Sequence, residues 1–226
     1  MEALVDRLDP DAEPEAHLVR AAGLSGPIGL LPGSFNPPTD AHVALARAGR
    51  AAGLGCVYYL LSKHTVDKEG VTGIPLADRL ELLSRIAAES GDGVAFANRG
   101  LYVDLARAMR RALPAARLVF LVGHDKIVQI FDRRYYAKPG GYPDAALEEL
   151  FSLATFLVAP RADADGDDLA ALLAEPENRR FARQVGRLAL ADRHRQVSST
   201  RVRRGEGGEV PPAVAEYLKR QRPFEP

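Results

Sequence analysis

The chain has 226 residues, of which 46% are hydrophobic, so it is long enough for one domain with a sizeable core. Its 30 Lys and Arg residues balance 30 Asp and Glu residues, which argues against a general nucleic-acid-binding or membrane-binding surface. The single cysteine, Cys56, excludes a disulfide framework within one chain, and we interpret it as a small buried hydrophobic residue.

Residues 1–25 are polar and contain proline, and we expect an N-terminal extension with a short helix over 15–22. Residues 26–226 are predicted to form a single domain. The sequence has no apolar segment of the length of a signal peptide or membrane span, so we expect a cytoplasmic protein.

Short apolar runs then alternate with amphipathic stretches. Strands are predicted at 28–32, 57–62, 94–98, 118–123, 155–159 and 187–190. Helices are predicted at 40–52, 76–90, 103–112, 126–131, 145–153, 168–174, 178–184, 199–204 and 212–220. This alternation is typical of an α/β fold, and we predict a doubly wound, Rossmann-like parallel sheet of five to six strands with helices on both faces.

The first informative motif follows the first of these strands and leads directly into a helix. A strand–loop–helix order directs backbone N–H groups and the positive end of a helix dipole at one point, which suits a phosphate. Thr39 or Asp40 can cap the helix. If Thr39 is the cap, His42 lies in the first turn, and we expect its imidazole and the Thr39 hydroxyl both to face the anion.

A second motif lies near the other end of the chain, at 197–203, and is also a helix start. Ser198 or Ser199 can cap this helix, and Arg203 can bind a phosphate through a bidentate guanidinium. Two such helix starts would hold one triphosphate from two sides. The basic residues around the motif are either a solvated helix face or a polyphosphate-capturing surface, and their overlap with the motif favours capture. They are Arg193, Arg195, Arg201, Arg203 and Arg204.

Both motifs resemble those of a known family. The run Gly33-Ser34-Phe35-Asn36-Pro37-Pro38-Thr39-Asp40-Ala41-His42 is similar to the signature of the adenylyltransferase branch of the nucleotidyltransferase superfamily, which is cytidylyltransferase-like. The run Val197-Ser198-Ser199-Thr200-Arg201-Val202-Arg203 resembles that family's Ile-Ser-Ser-Thr-x-x-Arg. The Thr39 form most resembles nicotinamide/nicotinate mononucleotide adenylyltransferases, although Ala41 replaces the usual glycine and the chain has no Trp.

The resemblance implies attack by a mononucleotide 5′-phosphate on the α-phosphorus of ATP, which forms NAD or its deamido form and releases pyrophosphate. His42 would donate to the α-phosphate with Thr39 beside it, as the catalytic residues. ATP would also be bound by Gly33, Ser34, Phe35, Ser198, Ser199, Thr200 and Arg203. The resemblance implies Mg²⁺ held mainly by ATP oxygens and water, with no metal site made by the protein alone.

The pyridine mononucleotide is expected to contact Asn36, Lys68, Gly123, Asp125 and Tyr135. Asp125 maps onto a ribose-binding position, but it could instead cap the helix predicted from Lys126. Tyr135 could stack on the base in place of Trp or pack in the core. Lys68 is chosen as the phosphate-binding lysine, with Lys63 second, although a solvated loop lysine is an alternative. His124 is interpreted as hydrogen-bonded to the backbone rather than to ligand.

Three alternatives stay open. The acceptor could be phosphopantetheine, or an alcohol phosphate could react with CTP instead of ATP. The chain could also be a nucleotide-binding regulator that has lost turnover, in which case ATP would bind without release of pyrophosphate.

Overall fold

A computed structural model describes residues 1–63, 73–136, 143–160, 168–191 and 199–224. The strands form one sheet in the order β1-β4-β3-β2-β5-β6-β7. They are β1 (Ala16–Arg20), β2 (Ile28–Pro32), β3 (Cys56–Ser62), β4 (Gly93–Ala97), β5 (Leu118–Gly123), β6 (Ala154–Ala159) and β7 (Val185–Arg187). All neighbouring strands are parallel except β1, which is antiparallel to β4.

The α-helices of the described residues are α1 (Glu2–Arg7), α2 (Asp40–Ala51), α3 (Leu76–Ser90), α4 (Tyr102–Ala112), α5 (His124–Phe131), α6 (Pro143–Leu153), α7 (Asp168–Ala174), α8 (Ser199–Arg203) and α9 (Pro212–Gln221). Two 3₁₀ helices cover Arg133–Tyr136 and Arg179–Gln184. Within the described ranges no helix has the length and apolarity needed to cross a membrane.

Strand β2 lies at the point where the strand order reverses, because it pairs with β3 on one side and β5 on the other. Every residue of β3 is buried, as expected for a strand covered on both faces. Neighbouring residues of β2 point to opposite faces of the sheet, so that Leu30 joins one hydrophobic cluster and Leu31 the other. Helices α4, α5 and α6 cover the first face, and α2, α3 and α9 cover the second.

The doubly wound α/β fold is confirmed, and the described residues form seven strands where five to six were predicted. The predicted helix over 15–22 is wrong, because Ala16–Arg20 is the edge strand β1. A helix this short is marginal in isolation, whereas the sheet edge offers backbone partners. Asn98, just after β4, fixes the preceding segment by accepting from the Glu15 amide at 2.9 Å and donating to the carbonyl oxygens of Asp9 and Glu13. The last strand lies at Val185–Arg187, slightly before the predicted 187–190.

A buried carboxylate organises the amino edge of the sheet. Asp92, with no exposed surface, precedes β4 and accepts from the Val57 amide at 3.0 Å and the Ser90 hydroxyl at 2.6 Å. It also forms an ion pair with Arg50 at the end of α2. Cys56 is buried nearby, as predicted, and burial together with the charge of Asp92 raises the pKa of its thiol.

Candidate active site

The first motif leaves the carboxyl end of β2 as a tightly packed loop. The Gly33 amide donates to the Leu60 carbonyl oxygen at 3.2 Å, so it extends the pairing with β3 and is not directed at a ligand. A Cβ at Gly33 would lie 2.9 Å from the ring of Phe35, which explains the need for glycine. Phe35 adopts a left-handed backbone with φ of 45°, and its ring is completely buried. Phe35 therefore supports the loop from within and presents no exposed surface to a ligand.

Three carbonyl oxygens of this loop accept hydrogen bonds from distant side chains. Arg79 donates to the Ser34 oxygen at 3.1 Å, Arg203 to the Asn36 oxygen at 2.6 Å and Ser199 to the Pro37 oxygen at 2.8 Å. Within the described part of the chain, the backbone N–H groups of Ser34, Phe35 and Ala41 have no acceptor. Such N–H groups at a loop and a helix start suit an anion.

Helix α2 begins with a capping box that orients His42. Thr39 is the N-cap and is completely buried. Its backbone N–H donates to His42 Nδ1 at 3.0 Å, and its hydroxyl lies 2.8 Å from the same nitrogen. Because Nδ1 accepts the backbone N–H, the proton of the neutral imidazole lies on Nε2. The His42 ring also packs on Phe35 at a centroid distance of 4.9 Å.

These contacts correct one expectation. The Thr39 hydroxyl was predicted to face the anion, but it is buried and directed at the imidazole. Thr39 is thus a positioning residue for His42. His42 itself is partly exposed at the carboxyl edge of the sheet, where a donor on Nε2 can meet a ligand.

Helix α5 begins beside this loop, at the end of the neighbouring strand β5. Gly123 is its N-cap, and a Cβ there would meet no atom within 4 Å. Asp125 lies inside the first turn, so the alternative that it caps a helix starting at Lys126 is wrong. His124 is 8% exposed, and the described residues supply no hydrogen-bond partner for its ring, contrary to the interpretation of a backbone-bonded histidine.

The second motif is bound to the first. Ser199 and Arg203 donate to the loop carbonyl oxygens of Pro37 and Asn36, and the Arg203 guanidinium also donates to the Thr200 hydroxyl oxygen at 3.1 Å. The Asp40 amide, at the start of α2, donates to the Glu209 carbonyl oxygen at 3.0 Å. The structure thus brings Ser199, Thr200 and Arg203 to the loop, as the two-sided arrangement requires. Ser198 lies outside the described residues.

The remaining predicted positions have different outcomes. Asn36 is 1% exposed, and its Oδ1 accepts from the Ile74 amide at 3.0 Å, so it supports the loop before α3. Tyr135 is partly buried against the hydrophobic cluster of α4 and α6. Lys63 donates to the Val5 and Leu8 carbonyl oxygens at 2.8 and 2.7 Å, which caps α1 and leaves the phosphate-binding role unsupported. Lys68 lies outside the described residues.

Sequence reasoning missed Arg79, in the first turn of α3. Its Nε donates to the Ile74 carbonyl oxygen at 2.6 Å in addition to its bond to Ser34. Burial and the neighbouring positive charge of Arg203 lower its pKa to about 10, so it remains charged at neutral pH. A sequence signal existed, because Arg79 adjoins the apolar stripe of Leu76, Leu80 and Leu83 and so lies next to the buried face of the helix.

The chain matches a family model and several known proteins. Residues 30–205 match the model of the Cytidylyltransferase-like family. A probable nicotinate-nucleotide adenylyltransferase from Laribacter hongkongensis (strain HLHK9) is 31% identical over 86% of this chain and 93% of its own length. One from Gloeobacter violaceus (strain ATCC 29082 / PCC 7421) is 28% identical over 78% and 82%.

A solved structure shares the fold. It is the Plasmodium falciparum nicotinic acid mononucleotide adenylyltransferase complexed with APC, which superimposes with a TM-score of 0.56 at 15% identity and covers 88% of this chain and 98% of its own. The family match spans both motifs and the strands between them. The chain therefore belongs to the cytidylyltransferase-like family and is a nucleotidyltransferase related to the nicotinamide/nicotinate mononucleotide adenylyltransferases.

Proposed function

We propose that the protein transfers the adenylyl group of ATP to nicotinate or nicotinamide mononucleotide and releases pyrophosphate. The observation that carries the proposal is the direct bonding between two phosphate-type motifs, through Ser199 to Pro37 and Arg203 to Asn36, at the point where the strand order reverses. The names of the two curated relatives favour nicotinate mononucleotide as the acceptor.

The mechanism requires positioning and charge stabilisation, and no covalent enzyme intermediate. The acceptor phosphate attacks the α-phosphorus in line with the leaving pyrophosphate. His42, held by Thr39, donates from Nε2 to an α-phosphate oxygen as negative charge develops. Arg203, with Ser199 and Thr200 beside it, binds the β- and γ-phosphates and stabilises the leaving group.

Gly123 and Asp125 are assigned to ribose binding. Gly123 leaves open space at the end of β5 for close approach of a ligand, and Asp125 follows in the first turn of α5. Tyr135 and Lys68 stay predictions for the acceptor base and phosphate. His124 adds an imidazole beside this region.

Mg²⁺ is assigned to the nucleotide, whose phosphate oxygens are the hard ligands it prefers. Over the described residues, no cluster of three or more His, Cys, Asp or Glu side chains could hold a metal. When bound, it would neutralise phosphate charge, while the contribution of this chain would be the guanidinium and N–H groups around the loop.

The decisive experiment measures pyrophosphate release by the purified protein with ATP and Mg²⁺. Four reactions are compared, with nicotinate mononucleotide, nicotinamide mononucleotide, phosphopantetheine and no acceptor; a fifth replaces ATP with CTP and supplies an alcohol phosphate. We expect release that depends on a pyridine mononucleotide and ATP, with the corresponding dinucleotide as product.

Two outcomes would contradict the proposal. Pyrophosphate release only with phosphopantetheine, or only with CTP and the alcohol phosphate, would show that the enzyme is a nucleotidyltransferase with different substrates. ATP binding with no release under any condition would instead make the chain a nucleotide-binding regulator. Binding is therefore measured separately by calorimetry.

A further inference from the structure

Arg79 belongs to a closed ring of hydrogen bonds around the phosphate-type loop. Its guanidinium bridges the carbonyl oxygens of Ser34 and Ile74. The amide of Ile74 in turn donates to Oδ1 of Asn36, two residues after Ser34. Arg79 therefore ties the start of α3 to both sides of Phe35, the residue with the left-handed backbone.

The bond to Ser34 has a directional consequence for the loop. In a planar trans peptide the C=O and the N–H point in opposite directions. The cis peptide of the loop is Asn36–Pro37, so the Ser34–Phe35 peptide is trans. Because Arg79 holds the Ser34 oxygen, it also fixes the direction of the Phe35 N–H on the opposite side. That N–H has no acceptor within the described residues, and Phe35 as a whole has no exposed surface.

The charge of Arg79 is not used in an ion pair. Its hydrogen-bond partners are neutral carbonyl oxygens, and no carboxylate of the described ranges pairs with it. The adjacent carboxylate, Asp78, accepts from the Tyr217 hydroxyl at 2.5 Å instead. Arg203 is close enough to depress the pKa of Arg79, and it too is held by neutral oxygens. Two neighbouring guanidinium groups without carboxylates create a positive potential at the loop that a polyphosphate would relieve.

We propose that Arg79 is a positioning residue for ATP, which holds the Ser34–Phe35 peptide of the phosphate-type loop in place and adds to the positive potential around Arg203. This inference rests on the proposed function, since it assigns a role within the same site. Arg79 acts through the loop backbone and does not itself contact the reacting atoms.

The test compares Arg79→Met and Arg79→Lys with the matched control Arg85→Met. Arg85 lies on the same helix but is exposed and paired with Glu81 at 3.0 Å. We expect Arg79→Met to weaken ATP binding and raise the KM for ATP at least about 10-fold, because a hydrogen bond to a charged donor is lost. The KM for the acceptor should change less than about 2-fold.

Two further measurements separate positioning from a merely structural role. Arg79→Lys retains the charge but cannot bridge two carbonyl oxygens with a planar fork, so its ATP affinity should lie between those of wild type and Arg79→Met. In Arg79→Ala, added guanidinium ion at concentrations that leave wild type unaffected should restore ATP binding, whereas ammonium should not.

The proposal would be overturned if the variants unfold at lower temperature but bind ATP as wild type does when folded. It would also be overturned if the acceptor KM rises as much as the ATP KM, or if guanidinium gives no rescue. ATP affinity is measured by calorimetry without turnover. A wild-type protein that binds ATP but transfers no adenylyl group would therefore refute the proposed function and leave the role of Arg79 testable.

Discussion

At the amino edge of the sheet the buried charges are paired, whereas at the carboxyl edge two guanidinium groups are held by neutral oxygens. Asp92 is fully buried but has Arg50, Ser90 and the Val57 amide as partners. Arg79 and Arg203 bind only carbonyl and hydroxyl oxygens among the described residues. Neither end of the sheet is apolar, yet among the described residues only the amino edge has its buried charges paired.

The difference separates stability from function. A buried ion pair with its hydrogen bonds complete is strongly destabilising to break, because the partner remains uncompensated. A cluster of like charges without counterions disfavours the folded state slightly, and a bound polyanion removes that penalty. Substitutions at the amino edge should therefore lower stability and leave ATP affinity unchanged, while those at the carboxyl edge should change ATP affinity or turnover.

The largest effect is expected for Asp92→Ala. It leaves Arg50 and the Val57 amide without their acceptor, and we expect unfolding to become easier by about 3 kcal/mol or more. Urea denaturation gives the free energy of unfolding, and Glu89→Ala, at an exposed position in the last turn of α3, is the control. The KM for ATP should match wild type in the remaining folded protein. A 10-fold change in that KM would break the proposed separation of the two edges.

The next effect concerns His42→Ala. Removing one donor to a developing charge lowers kcat by about 100-fold or more in comparable sites, and we expect the same here. The thermal midpoint should stay within a few degrees of wild type, since the ring is partly exposed. His17→Ala, which alters a partly exposed histidine on β1, is the control. Near-normal turnover of the His42 variant would remove this residue from the mechanism.

Gly33→Ala should have a smaller effect, which lowers both stability and turnover. The new methyl group would meet the Phe35 ring at 2.9 Å, and overpacking of this kind destabilises by about 1–3 kcal/mol. Because Phe35 supports the His42 ring, kcat should fall as well. Gly23→Ala is the control, since a Cβ there meets no atom within 4 Å. Unchanged stability of Gly33→Ala would show that the ring can move aside.

The smallest effect is expected at a surface ion pair remote from both edges. Glu149 accepts from Arg107, and this bond lowers its pKa below the usual 4.5. A carboxyl whose folded pKa is depressed stabilises the protein above its unfolded pKa, and this contribution is lost as the pH falls through the folded value. Glu149→Gln should cost at most about 1 kcal/mol at pH 7 and nothing once the pH is well below 4.5. Urea denaturation of wild type and variant at pH 7 and at a pH well below 4.5 tests this prediction. An equal loss of unfolding free energy at the two pH values would contradict it.

The sequence predicted most strands because runs such as Leu118–Gly123 are buried on both faces and so are apolar throughout. The two motifs could also be recognised in the sequence, since helix starts and hydroxyl-rich loops are local features. Strand β1 could not be predicted from its own sequence, because it is held by pairing with β4 and by the hydrogen bond from Glu15 to Asn98, far along the chain. The Thr39 hydroxyl meets an imidazole three residues further on, but its complete burial depends on tertiary packing, as does the bridge that Arg79 makes to Ser34.

The bonds between the two motifs also set the order of events during protein synthesis. Ser199 and Arg203 are separated from their loop acceptors by 162 and 167 residues. Contacts of such high sequence separation form late, after the intervening chain has been ordered. We therefore expect a ribosome-bound chain that has exposed β1 to β6 to contain most strands of the sheet but only half of the proposed nucleotide site. Premature termination before residue 199 would yield a fragment without the second half of that site.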